Sequence, residues 1–140
     1  MRKFLILAWF AACMGNSLQM EGQFVSRDEA TLIATKYLHV IIDKYGPWAG
    51  QPKAVARPAE DLFYKGRLIG YYCQVDPDGW IVLSLRREFG GVKASSDKGT
   101  FHPENERGTV ALIKSRMADH IEAVESRYGS VETASVADVE

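Results

Sequence analysis

The segment Gly108-Thr109-Val110-Ala111-Leu112-Ile113-Lys114-Ser115 matches the phosphate-binding loop pattern at every fixed position except one, where Ile113 replaces the second Gly. That Gly is what lets backbone amides wrap a phosphate, and the motif works only between a strand and a helix. Ile113 instead belongs to the apolar stripe of a helix that no strand feeds, so the segment reads as helix packing. His39, His102 and His120 are scattered and form no metal-ligand spacing. His102 lies near Glu104 and Glu106, but in a Pro-containing linker that reads as a turn. Ser84 lacks the flanking glycines of a nucleophile elbow. Cys73 has no local His or helix N-terminus to activate its thiol, and alternation puts it with Tyr71 and Val75 on one sheet face as a buried structural residue. Arg86, Arg87 and Glu88 read as a solvated hairpin end, with an acidic partner as the alternative. None of these groups makes a catalytic constellation, and the chain is expected to be no enzyme and to need no cofactor or metal.

The elements that must position these residues are legible from spacing. Ser26-Arg27-Asp28-Glu29 fits a capping box and predicts a helix start. Ala30, Ile33, Ala34, Tyr37, Ile41 and Tyr45 make its inner face, and Gly46-Pro47 ends it. A loop follows from Gln51 to Ala59, with a short edge strand over Ala54 to Arg57. The period then changes to two. Leu62 to Tyr64, a turn at Lys65-Gly66-Arg67 and Leu68 to Val75 predict a hairpin, with Gly70 marking a bulge. Asp76-Pro77-Asp78-Gly79 is a strong turn signal ahead of a central strand from Trp80 to Leu85. Gly90-Gly91 precedes a further strand at Val92 to Ser95. A second helix runs from about Arg107 or Thr109 to Tyr128, with Val110, Ile113, Met117, Ile121, Val124 and Tyr128 inward and Gly129 as its stop. The predicted fold class is α+β: an antiparallel sheet of three to five strands with an N-terminal and a C-terminal helix packed on it, both on one face. Tyr71, Tyr72, Trp80, Phe89 and Phe101 are expected to alternate between core and surface, where outward rings could anchor a protein interface.

Composition narrows the class of partner. The 140 residues are 46% hydrophobic and 25% charged, as in an ordinary single domain. Seventeen basic against 18 acidic residues leave a net charge of -1, which offers no field to attract nucleic acid or anionic membranes. Met1-Arg2-Lys3, the apolar run Phe4 to Ala12 and the small or polar Gly15, Asn16 and Ser17 follow the order of a secretory signal, and the run is too short for a membrane span. Cys13 after Phe10-Ala11-Ala12 resembles a bacterial lipobox, in which the cysteine becomes lipidated; cleavage after Gly15 or Ser17 would discard it instead. The expected organisation is a signal over residues 1–17 (ending at Ala12 if the lipobox is used), a linker over 18–25, the domain over 26–128 and a flexible acidic tail over 129–140. The protein is expected to be exported, as a secreted, periplasmic or lipid-anchored monomer that meets the membrane only through that lipid.

Three stretches in the middle of the chain carry a resemblance. They are Tyr71-Tyr72-Cys73-Gln74-Val75, Gly79-Trp80-Ile81-Val82-Leu83-Ser84, and Val92-Lys93-Ala94-Ser95-Ser96-Asp97-Lys98-Gly99-Thr100-Phe101. Together they resemble the propeptide of streptopain-type (C10 family) cysteine peptidases, a module that also stands alone as a Spi-type inhibitor. Ser96-Asp97-Lys98-Gly99-Thr100-Phe101 is similar to the family's Ser-Asp-x-Gly-Thr-Phe element, and Asp28-Glu29-Ala30 with Ala34 fits the preceding helix. The chain departs at Leu85-Arg86-Arg87, where the family has acids, and at Ser95, where it has an aromatic. The resemblance covers about residues 25 to 128. It implies a standalone inhibitor of a papain-like cysteine peptidase, with no peptidase domain of its own. Peptidase contact is then expected from Phe89, Gly90, Gly91 and Val92, and from Ser95, Ser96, Asp97, Lys98, Gly99, Thr100 and Phe101. The alternative is a noncatalytic envelope lipoprotein or secreted binding module of the same fold.

Overall fold

Ser26 opens the first helix, α1 (Arg27–Tyr45), through the predicted capping box: its side chain accepts from Glu29 N at 3.2 Å, and its own N–H donates to Glu29 Oε2 at 3.2 Å. The computed structural model describes residues 24–129, and the leader, Cys13 and the acidic tail beyond Gly129 lie outside the described residues. Helix α1 ends where Gly46 adopts φ 98°, its N–H bonding Ile42 O at 3.0 Å. The helix seats on the sheet by the ridge Ala30, Ala34 and Leu38, all fully buried. Two alanines in that ridge let the backbone approach the strands closely. A four-residue row slants around the helix by about 40° per step, so the expected stripe rotates out of contact: Tyr37 and Ile41 are half-buried, whereas Tyr45 is 71% exposed.

The remaining order is β1 (Val55–Ala56), β2 (Glu60–Tyr64), β3 (Arg67–Asp76), β4 (Trp80–Ser84), a single 3-10 turn (Arg87–Phe89), β5 (Val92–Ser96) and α2 (Gly108–Tyr128). All strand pairs are antiparallel. β3 is the longest strand; β1 and β2 share one of its edges end to end, joined by Arg57 N donating to Gln74 O at 2.8 Å, and β4 then β5 continue from the other edge. The β2–β3 hairpin turns on Lys65 and Gly66, both at positive φ (49° and 77°), the backbone that matches strand twist in a two-residue turn. Leu62 pairs with Gly70 and Phe63 with Leu68, which leaves Ile69 as the extra residue of a bulge beside the predicted Gly70.

The two helices occupy opposite faces of this sheet, a correction to the single-face arrangement expected from element order. Neighbouring residues divide between two cores. Tyr71, Cys73, Val75, Ile81 and Leu83 pack with Ala30, Ala34 and Leu38 of α1. Tyr72, Trp80 and Val82 pack with Met117 and Ile121 of α2, together with Phe89 and Phe101. Every residue of β4 is therefore buried, because the period-two alternation sends its side chains into a core on each side. The same geometry overturns the expected division of the aromatics: Tyr71, Tyr72, Trp80, Phe89 and Phe101 are all buried. With both faces covered, neither direction of the alternation leads to solvent.

Bonds between elements tie the layers together. Arg27 makes a two-pronged ion pair with Asp61 of β2, at 2.8 and 2.6 Å, which holds the Asp61 carboxyl below the usual carboxylate range. Tyr37 hydroxyl meets Ser95 Oγ of β5 at 2.9 Å. Val25 donates its N–H to Leu85 O at 2.9 Å and accepts the Tyr71 hydroxyl on its carbonyl at 2.6 Å, so the segment entering α1 belongs to the folded unit.

Candidate functional site

The residues singled out for their chemistry do not converge. Lys114 is buried on α2 and donates to Pro103 O at 2.7 Å, so the lysine of the near phosphate loop fastens the linker to the helix. His39 is exposed on α1, and His102 Nδ1 lies 3.2 Å from Glu104 Oε1 on the surface linker. His120 sets its ring edge-on to Phe89 at 4.8 Å. Ser84 is buried with its hydroxyl facing the backbone carbonyls of Arg86 and Gly90, acceptors that satisfy the proton without activating the oxygen. Among the described residues, no three His, Cys, Asp or Glu side chains gather as a metal site, and no helix is long and apolar enough to cross a membrane.

Cys73 is fully buried in the α1-side core. Burial first, and the nearby Glu60 charge second, push its thiol up to about 11. At neutral pH it is a protonated core residue rather than a nucleophile. Arg86 corrects the expectation of a solvated hairpin end. It is only 7% exposed, pairs with Glu88 and lies over the Phe24 ring at 4.9 Å, because Phe24 bridges to Arg86 and covers it. Arg87 does reach solvent, pairing with Glu29 at the start of α1.

The candidate contact segments sit at the two ends of β5, which by its five residues separates them by roughly 16 Å. At the leading end, Phe89 is buried, and Gly91 presses so close to Ile33 that a Cβ there would lie 3.2 Å from its Cγ2. Gly90 is exposed, Gly91 and Val92 are half-buried, and Gly91 O accepts from Ser84 N at 2.9 Å. This end is largely packed into the fold. At the trailing end, Ser95 and Ser96 are half-buried while Asp97, Lys98, Gly99 and Thr100 are exposed in succession.

That exposed tip is held from several sides. Ser96 Oγ accepts from Lys98 N at 3.2 Å and donates to Lys98 O at 2.9 Å. Gly99 N donates to Asp78 Oδ1 at 2.8 Å, and Gly99 O accepts from Gly79 N at 3.0 Å. The Asp76-to-Gly79 turn that provides these partners is itself clamped, since Trp48 Nε1 donates to Asp78 O at 2.9 Å. Gly79 has φ 97°, and a Cβ on it would stand 2.3 Å from Ser96 O, so only glycine permits the turn and the loop to approach this closely. Phe101 closes the loop. Its ring is 1% exposed between Tyr72 and Trp80, and its backbone makes paired bonds with the Gln74 side chain at 2.7 and 3.1 Å.

Sequence reasoning marked the loop but missed its clamps. Gln74 and Trp48 lie 27 and 53 positions from Phe101, and no local pattern reveals such pairing. It also missed a groove between α2 and the sheet of about 510 Å³, into which Ile69, Phe89, Met117 and Ile121 face.

What the fold and the site define is an α+β domain in which a surface loop is pinned to a rigid sheet end. Comparison with known proteins finds no matching family model, no matching curated protein and no matching solved structure.

Proposed function

We propose that this domain is an exported, noncatalytic module that binds and inhibits a papain-like cysteine peptidase, with the loop from Ser96 to Thr100 as its contact. One observation carries this reading: the exposed tip Asp97-Lys98-Gly99-Thr100 is pinned by Asp78, Gly79 and its own Ser96 before any partner arrives. Association loses about 0.5–1.5 kcal/mol for each flexible side chain it must order, so a loop already held avoids much of that loss. A segment tied at both ends also resists adopting the extended form that a peptidase cleaves. Phe89 and Phe101, being buried, serve as anchors beneath the surface rather than as contacts. The resemblance of Ser96 to Phe101 to the streptopain propeptide element supports the choice of peptidase class.

The test is titration of the purified protein against streptopain-type peptidases, alongside a variant carrying Asp97→Ala, Lys98→Ala and Thr100→Ala. The expected result is inhibition at or below micromolar protein, weakened at least tenfold in the variant while its melting temperature stays unchanged. Undiminished peptidase activity at micromolar protein, or equal inhibition by the variant, refutes the proposal.

A further inference from the structure

We propose that the groove between α2 and the sheet is a binding site for a small amphiphilic carboxylate, an aliphatic chain ending in one anionic headgroup. The groove lies outside the Ser96-to-Thr100 loop, and the inference does not depend on the peptidase reading.

The spacing of α2 builds one wall. Ile113, Met117 and Ile121 recur every four residues and form the inner ridge, while Leu112, Arg116 and His120 recur at the same interval and form the outer one. Facing them are Phe89 from the 3-10 turn and Lys93 from β5, with Ile69 and Ser84 at the base. The bulge at Ile69 matters here: it turns Ile69 toward α2, next to a glycine that leaves room for Met117. The groove is open to solvent along one side; its volume of about 510 Å³ falls within the 300–1,000 Å³ of ordinary small-molecule sites, and its floor is apolar as such sites require.

The charge at the rim selects the ligand. Lys93, Arg116 and His120 line the opening, and among the described residues no carboxylate does. Among the described residues neither Arg116 nor His120 has a carboxylate partner; His120 rests on Phe89, and Lys93 Nζ spends one of its three donors on Phe89 O. Donors therefore stand above an apolar slot that holds no anion among the described residues to answer them. Leu112, 57% exposed at the same edge, leaves apolar surface where the chain would enter. An aliphatic carboxylate answers both halves, placing its chain against the Met117 ridge and its headgroup between Arg116 and Lys93. A cationic amphiphile would meet like charge, and a neutral alcohol would forgo the charge-assisted bonds that make a carboxylate–guanidinium contact strong.

The experiment is an amide-shift titration of the isotopically labelled protein with decanoate below its micelle concentration, compared with decanol and decyltrimethylammonium. Saturable decanoate shifts confined to Ile69, Phe89, Lys93 and the 112–121 stretch of α2 are expected, with decanol at least tenfold weaker and the cation weaker still. A variant carrying Lys93→Gln and Arg116→Gln, both at exposed positions and so expected to fold, should lose at least tenfold in decanoate affinity and none in decanol affinity. Equal binding of decanoate and decanol, shifts centred elsewhere, or full affinity in the double variant would overturn the assignment.

Discussion

Replacing Phe101 by alanine removes the one ring that joins the loop to the α2-side core. The side chain is 1% exposed, with its centroid 5.0 Å from that of Tyr72 and 5.2 Å from that of Trp80. Truncation of a buried Phe costs about 3–5 kcal/mol, and the neighbours here are strands that cannot slide inward to fill the space. Against a typical domain stability of about 5–15 kcal/mol this is about a fifth of the total or more. Phe101→Leu keeps most of the apolar volume and loses mainly the two ring contacts, each worth about 0.5–1.5 kcal/mol, so a loss of about 1–3 kcal/mol is expected. Urea unfolding followed by tryptophan fluorescence measures both, since Trp80 touches the substituted ring. With a slope near 2 kcal/mol/M, the alanine variant should lose about 2 M in midpoint and the leucine variant about 0.5–1.5 M. A loss below about 0.5 M for alanine, or identical losses for the two variants, would refute the reasoning that this ring carries the joint.

Gly70→Ala should also destabilise, by about 1–3 kcal/mol, because the new Cβ would stand 2.3 Å from Leu83 O and 2.6 Å from Met117 Cε. The methionine can yield but the ladder carbonyl cannot; a melting temperature unchanged within a degree would refute the close approach of Gly70 to Leu83 O. The third prediction concerns pH. Native Cys73 holds its proton to about pH 11, whereas the unfolded thiol ionises from its ordinary value of 9.0. Between those values the unfolded state binds fewer protons, so stability falls as pH rises through that window. Tyr71 and Tyr72, whose hydroxyls are also raised by burial, add to the fall above their ordinary value of 10.0. Urea midpoints measured from pH 8 to 11 should decline, and Cys73→Ala should decline less steeply; parallel curves would exclude the thiol as a contributor.

The sequence by itself determined the elements, because the signals that make them are local. The Ser26–Glu29 capping box, Gly46-Pro47, Lys65-Gly66 and the Asp76-to-Gly79 turn act within a few residues, and the structure begins and ends its helices and hairpins there. The burial of Cys73 was equally legible, since alternation with Tyr71 and Val75 assigns it a sheet face. The α+β class followed from the order of those elements.

Which face each helix covers was decided by the tertiary structure alone. A strand reading Trp80-Ile81-Val82-Leu83 is apolar at every position and fits burial on one side or on both. Only the packing of Leu38 against one core and Met117 against the other resolves it, and with it the burial of all five aromatics. The clamps on the loop are likewise long-range. Gln74, Asp78 and Trp48 meet it because antiparallel pairing brings distant positions side by side, a relation that no spacing along the chain encodes. The groove arises for the same reason: its walls come from β3, the 3-10 turn, β5 and α2, and neither its shape nor the meeting of Lys93 with Arg116 at its rim exists until those elements are in place.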